Sequence, residues 1–184
     1  MKKIFIFVIF FLLSKQLYAN GDIMILKLKY GDVKIELFND IAPNHVKRFK
    51  ELSESKKYDG VVFHRVIEGF MAQSGDVQFG NSLNAKYDLA RVGTGGSDLP
   101  DLKAEFNNVA HTRGILSAAR SADPNSANSQ FFICLADAPH LDRQYSAFGR
   151  VIEGMEYIDQ IKKGDSQSGA VKDPDTIISI KIQK

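Results

Sequence analysis

The sequence predicts a mainly β protein, an antiparallel barrel or sandwich with helices at its ends. Three observations lead there. About eight short runs are rich in β-branched and aromatic residues and bounded by turn formers. Only two stretches repeat apolar residues at helical spacing. Strands and helices do not alternate as parallel βαβ units require.

The chain opens on a segment of its own. Lys2 and Lys3 precede an unbroken apolar run from Ile4 to Leu13, then come Ser14-Lys15-Gln16 and Leu17-Tyr18-Ala19. Basic start, apolar middle and small final residue are the layout of a secretory signal peptide, with cleavage expected after Ala19. The apolar run is about half the ~20 residues a spanning helix needs. Residues 20–184 are then expected to form a single domain, exported to the periplasm, monomeric and free of the membrane. That leaves 165 of 184 residues, enough for a real core. With Lys2, Lys3 and Lys15 set apart, 21 basic residues face 22 acidic ones, so no basic bias points to nucleic acid or a membrane surface. Cys134 is the only cysteine, so no internal disulfide can form.

Ile23 to Leu28 and Val33 to Phe38 read as strands around Tyr30-Gly31-Asp32. Pro43 opens a helix, a place that suits proline. Val46, Phe49 and Leu52 face inward, Lys47, Arg48, Lys50 and Glu51 outward, and the helix ends near Ser55. Val61 to Ile67 and Phe70 to Ser74 flank Glu68-Gly69 as a hairpin. From Val77 to Asn108 periodicity fades into a long excursion, in which Gly93-Thr-Gly-Gly is a surface loop and not a phosphate loop, since no lysine follows. Gly114 to Ala119 and Gln130 to Leu135 are strands joined by a polar loop, and Tyr145 to Val151 is another. Gly154 to Lys163 reads as the second helix, with Gly164 as its C-cap. Thr176 to Ile182 is the last strand.

The hairpin carries an arginine, Arg65, among apolar neighbours. A guanidinium cannot be deprotonated and is costly to bury unpaired. A strict two-residue turn pairs Arg65 with Ala72 and His64 with Gln73. A bulge at Gly69 pairs Arg65 with Met71 and Phe63 with Gln73, so that Phe63, Arg65, Met71 and Gln73 share one face. The bulged form makes an apolar wall holding one cation and one amide, which suits a small binding site. In an ordinary hairpin Arg65 would snorkel to water instead.

Phe63-His-Arg-Val-Ile-x-Gly-Phe-Met-x-Gln-x-Gly-Asp76 resembles the signature of the cyclophilin family of peptidyl-prolyl cis/trans isomerases. Gly114-Ile-Leu-Ser-Ala-Ala, Pro124-Asn-Ser-Ala-Asn, Ser129-Gln-Phe-Phe-Ile133 and Phe148-Gly149-x-Val151-x-x-Gly154 follow in family order. The resemblance implies a closed eight-stranded antiparallel barrel capped by two helices, no cofactor, and proline-containing polypeptides as partners. It implies that Arg65 is the catalytic donor and that Gln73 holds its guanidinium or a substrate carbonyl. Phe70, Met71, Phe132 and Leu141 would form the pocket for the proline ring. Backbone near Arg120 and Ser121 would pair with the substrate chain, and Tyr145 would close one side. His140 stands where many eukaryotic members carry a tryptophan that helps bind cyclosporin, and Tyr145 where many carry histidine. The loop from Arg120 to Pro124 is one residue longer than the common form.

Other readings differ in chemistry. A proline-binding module without turnover would need the apolar pocket but not Arg65. A hydrolase would need a nucleophile-base pair, and Ser117 and Ser129 lack the context of a nucleophile elbow. His64 reads as structural, because isomerisation transfers no proton. His45, His111 and His140 have no metal-ligand spacing.

Overall fold

The computed structural model describes residues 21–183, so the expected signal peptide lies outside the described residues. The strands are β1 (Ile23–Leu28), β2 (Gly31–Leu37), β3 (Arg65–Ile67), β4 (Met71–Ser74), β5 (Ile115–Ala118), β6 (Phe131–Cys134), β7 (Ala147–Glu153) and β8 (Ser179–Gln183). The helices are α1 (Pro43–Glu54) and α2 (Met155–Asp159), with a 3₁₀ turn at Pro139–Leu141. All eight strands join one antiparallel sheet in the order β3-β4-β6-β5-β7-β2-β1-β8.

The sheet is an open half-barrel, not the closed barrel expected. Its two ends, β3 and β8, form no ladder with each other. The three-residue β3 spends its free edge on the loop before β8: Val66 N donates to Gly169 O and Val171 N to His64 O. Scattered backbone hydrogen bonds, among them Ile177 N to Val61 O (2.9 Å), and isolated bridges at Val62 with Thr176 and Arg65 with Ala170 span the seam without forming a ladder.

Residues of α1 and one face of the sheet make the main core. Phe49 lies 4.9 Å from Tyr58, 5.1 Å from Phe131 and 5.3 Å from Phe148, ring centre to ring centre. Every residue of β6 is buried, yet its side chains still alternate: Phe131 and Ile133 enter this core, while Phe132 and Cys134 join a second cluster with Met71, Ile115 and Leu141. A strand buried on both faces has no polar side, which is why this run lacks hydrophobic alternation.

Helix α1 has the expected bounds but not the expected outer face. Arg48 is buried and donates to Pro100 O (2.7 Å) and Asn128 O (3.4 Å), tying the long excursion to the helix. No side chain of the helix's own start caps it. Glu105, from the excursion, does so instead. Its carboxylate accepts from the backbone N–H groups of Asn44 and His45, 3.0 Å each, and from Asn44 Nδ2 and His45 Nδ1.

Helix α2 is shorter than its periodicity predicts, and Gly164 does not cap it. The amides that would extend it are taken elsewhere. Lys162 N donates to Asp175 Oδ2 and Gly164 N to Val66 O, both 2.9 Å. Tertiary partners outbid a weak local propensity.

Candidate active site

The β3–β4 hairpin adopts neither register considered from sequence. Arg65 pairs with Gln73, Val66 with Ala72 and Ile67 with Met71, around the three-residue loop Glu68-Gly69-Phe70. Gly69 takes φ +70, the left-handed residue that such a loop needs, with open space around it. Arg65, Met71 and Gln73 do share a face. Phe63 does not join them: it precedes the strand and is fully buried in the main core.

Arg65 is half-buried and held by neutral groups. Its Nε donates to Ser168 O (3.0 Å), and one terminal nitrogen donates to Gln73 Oε1 (3.4 Å) and lies 3.9 Å from Met71 Sδ. Gln73 is itself aimed. Its Nε2 donates to Gln130 Oε1 (3.0 Å), so its oxygen is left to face Arg65. Gln130 Nε2 donates to Gly93 O (3.0 Å) and Gly95 O (2.8 Å). The amides of those glycines donate to the buried Asp76 carboxylate at 2.7 and 2.9 Å. The Gly93-Thr-Gly-Gly loop is thus a brace behind the site. A side chain at Gly95 would meet Asp76 Oδ1 at 2.5 Å, so the loop can pass there only as glycine. Sequence reasoning missed the parts played by Gln130 and Asp76. Both stand inside the motif blocks quoted for the resemblance, but neither block says what they touch.

A cleft of about 330 Å³ opens beside this hairpin. Its lining includes Arg65, Phe70, Met71, Gln73, Arg120, Phe132, His140, Leu141 and Tyr145, together with Ala119. Phe132 forms the floor, edge-on to Tyr145 at 5.7 Å. Phe70 and His140 lie ring to ring at 5.3 Å on one rim. Ser121 is not in this cleft. It lines an adjoining cavity of about 240 Å³, where its hydroxyl donates to Ser126 Oγ. A larger groove of about 620 Å³, beside Phe38, Ile41 and Arg113, contains none of these residues.

Behind the floor lies a polar line that sequence reasoning did not find. His111 stacks near Phe132 at 6.2 Å, with Nε2 3.0 Å from Ser117 Oγ and Nδ1 3.1 Å from Asp142 Oδ1. The order Ser-His-Asp resembles a hydrolase triad. Ser117, however, is wholly buried in β5, so no acyl group can reach it. Burial lowers the His111 pKa against the pull of Asp142, which favours the neutral ring. His64 is also buried, with neither ring nitrogen hydrogen-bonded, and desolvation pushes it down to about 4. It is a neutral core residue at pH 7, not an acid or base.

A half-barrel whose cleft sets Phe70, Met71, Phe132 and Leu141 beside a fixed cation and an aimed amide is suited to a small apolar group next to a polar bond. Residues 23–182 match the family model "Cyclophilin type peptidyl-prolyl cis-trans isomerase/CLD". A probable peptidyl-prolyl cis-trans isomerase of Brucella suis is 55% identical over 161 residues, covering 87% of this chain and 82% of that one. A peptidyl-prolyl cis-trans isomerase of Acinetobacter baylyi is 35% identical over 182 residues, 94% and 90% of the two chains. Among solved structures, a Cryptosporidium parvum cyclophilin type isomerase, crystallised in the presence of the dipeptide Ala-Pro, superposes with a TM-score of 0.74 at 31% identity. That match covers 88% of this chain and 99% of the other. The chain belongs to the cyclophilin-type peptidyl-prolyl cis-trans isomerase family, and its activity is the isomerisation of prolyl peptide bonds.

Proposed function

We propose that the mature chain, residues 20–184, is a single monomeric domain that speeds X-Pro exchange in exported polypeptides, with Arg65 as the catalytic group. The observation that carries this reading is the half-buried Arg65 guanidinium, held without a carboxylate partner at the edge of an apolar cleft. The Cryptosporidium protein's crystallisation with Ala-Pro supports a proline ring as the group the cleft receives.

Rotation about an X-Pro bond faces a barrier of ~18–20 kcal/mol from amide resonance. Uncatalysed exchange takes tens to hundreds of seconds. Millisecond turnover asks for roughly 6 kcal/mol of selective stabilisation of the twisted state. On twisting, the imide nitrogen loses resonance and regains a lone pair. A fixed N–H donor aimed there binds the twisted form better than either planar form, which is catalysis by differential binding. Arg65 is suited to this, because its charge is permanent and its fork is rigid. Gln73 orients that fork or takes the substrate backbone. Phe70, Met71, Phe132 and Leu141 receive the ring, and Tyr145 and His140 bound it. No bond is broken, so the reaction calls for no nucleophile.

Two experiments test the proposal. Exchange in a short X-Pro peptide is followed by NMR with the mature chain and with Arg65→Ala. The parent is expected to accelerate exchange, and the folded variant to lose about two to three decades of that acceleration. Equal rates in the two proteins would remove Arg65 from the mechanism. Export is tested by the mass of the protein recovered from an expressing bacterium. A periplasmic form starting at Asn20 is expected, and an uncleaved cytoplasmic chain would overturn it.

A further inference from the structure

Arg120 sits at the mouth of the cleft and takes no part in the chemistry above. Its guanidinium lies 4.5 Å from the centre of the Tyr145 ring. Nε and one terminal nitrogen donate to Gln144 O at 3.3 and 3.0 Å. The other terminal nitrogen donates to Ser121 O at 2.8 Å and reaches Ala122 O at 3.5 Å. Every acceptor is a neutral main-chain carbonyl. These contacts fix the cation in place and leave its charge uncancelled. Among the described residues Arg120 forms no ion pair, and neither does Arg65 across the same cleft.

The surroundings repeat the pattern. The cleft lining has two guanidiniums and no carboxylate. The adjoining cavity shares Gln73, Ala119 and Arg120 with the cleft, and Arg120 is its only charged lining residue. Two acids stand near in sequence, and neither forms an ion pair with Arg120. Asp123 accepts from Asn125 N, and Asp142 from the backbone and ring of His111. A cation already held rigid loses little side-chain entropy when a partner arrives.

We propose that Arg120 is a specificity-determining residue that selects acidic segments: X-Pro bonds flanked by an Asp or Glu side chain lying against its guanidinium. This rests on reading the cleft as the substrate site. A chain passing from the cleft toward the adjoining cavity runs past the residues that line both, Gln73, Ala119 and Arg120, of which only Arg120 is charged. A glutamate there meets an uncancelled positive charge, whereas a lysine meets repulsion.

The test uses two series of short peptides built around one Ala-Pro bond. Glu, Gln or Lys is placed two residues before the proline in one series and directly after it in the other. In one series the parent is expected to rank Glu above Gln above Lys, with a Glu-to-Gln ratio in kcat/KM of about three to ten. That ratio should shrink as salt is raised from 50 to 500 mM. It should fall to one in Arg120→Gln, persist in Arg120→Lys and invert in Arg120→Glu. Because a ratio is read, a general loss of activity in a variant does not mimic the effect. A parent that isomerises the Gln peptides with no Glu preference in either series would overturn the selectivity alone. An unchanged ratio in Arg120→Gln would assign the preference to another group. A parent that isomerises none of the peptides would overturn the reading of the cleft together with this one.

Discussion

At the scale of single residues, Gln73 can serve Arg65 only while its amide is held one way round, and Gln130 is what holds it. Gln130→Ala removes that partner and also frees the Gly93 and Gly95 carbonyls. A hydrogen bond of this kind is worth about 1 kcal/mol. We expect a loss of roughly fivefold to tenfold in kcat/KM, with circular dichroism unchanged. His64 makes a prediction about stability rather than rate. Its folded pKa of about 4 lies below the ordinary value of 6.5. Between those values the unfolded chain binds a proton that the folded protein refuses. Stability is therefore undiminished above pH 6.5 and falls as pH drops toward 4. From pH 7 to pH 4.5 that loss is about 2 kcal/mol for this one group. Urea titrations at both pH values measure it, and His64→Phe should shrink the difference by that amount.

At the scale of elements, α1 depends on a residue 60 positions away. Glu105 is the acceptor for two of the amides that its own start leaves unpaired. Glu105→Ala should cost about 1–2 kcal/mol, read from the urea midpoint, and should loosen the excursion along with the helix. Burial alone would raise the Glu105 pKa, but its hydrogen bonds to His45 and Asn44 hold it below the usual value. The cap is therefore fully present above the ordinary carboxylate range and is lost as pH falls through the lowered value. Glu105→Gln keeps an acceptor and should recover part of the loss. The β3–β4 hairpin shows the opposite dependence. Its register is set within the hairpin by a three-residue loop, and the tertiary structure only decorates it.

Across the whole molecule the sheet lacks a ladder at the seam between β3 and β8, and we expect it to open first. Asp175 spans it. Its carboxylate accepts from Lys29 Nζ (2.5 Å), Tyr30 Oη (3.1 Å) and Lys162 N (2.9 Å), and its carbonyl accepts from Phe63 N (2.8 Å). These ties reach β1's exit, the end of α2 and the approach to β3. Asp175→Ala should open the seam before the rest of the sheet. In hydrogen exchange, amides at 60–66 and 169–177 should lose protection first, while those of β1, β2 and β7 keep theirs. Uniform loss across the sheet would mean that the seam carries no special load. Because Arg65 bonds to Ser168, on the same loop, a loosened seam should also lower activity.

Sequence alone determined the inventory of strands, the span of α1 and the family signature. Each of these is written in neighbouring residues, as periodicity, turn chemistry or fixed spacing. It also singled out Arg65, Met71 and Gln73 as sharing a face, although from the wrong register. Only the tertiary structure decided the early end of α2, the inward turn of Arg48 and the open seam. The same holds for the chain of bonds from Asp76 through Gln130 to Arg65, and for the Ser117-His111-Asp142 line behind the cleft. Those features depend on which backbone amides and carbonyls find partners from distant parts of the chain. Such partners are chosen by packing, and packing follows from the three-dimensional arrangement that local patterns do not encode.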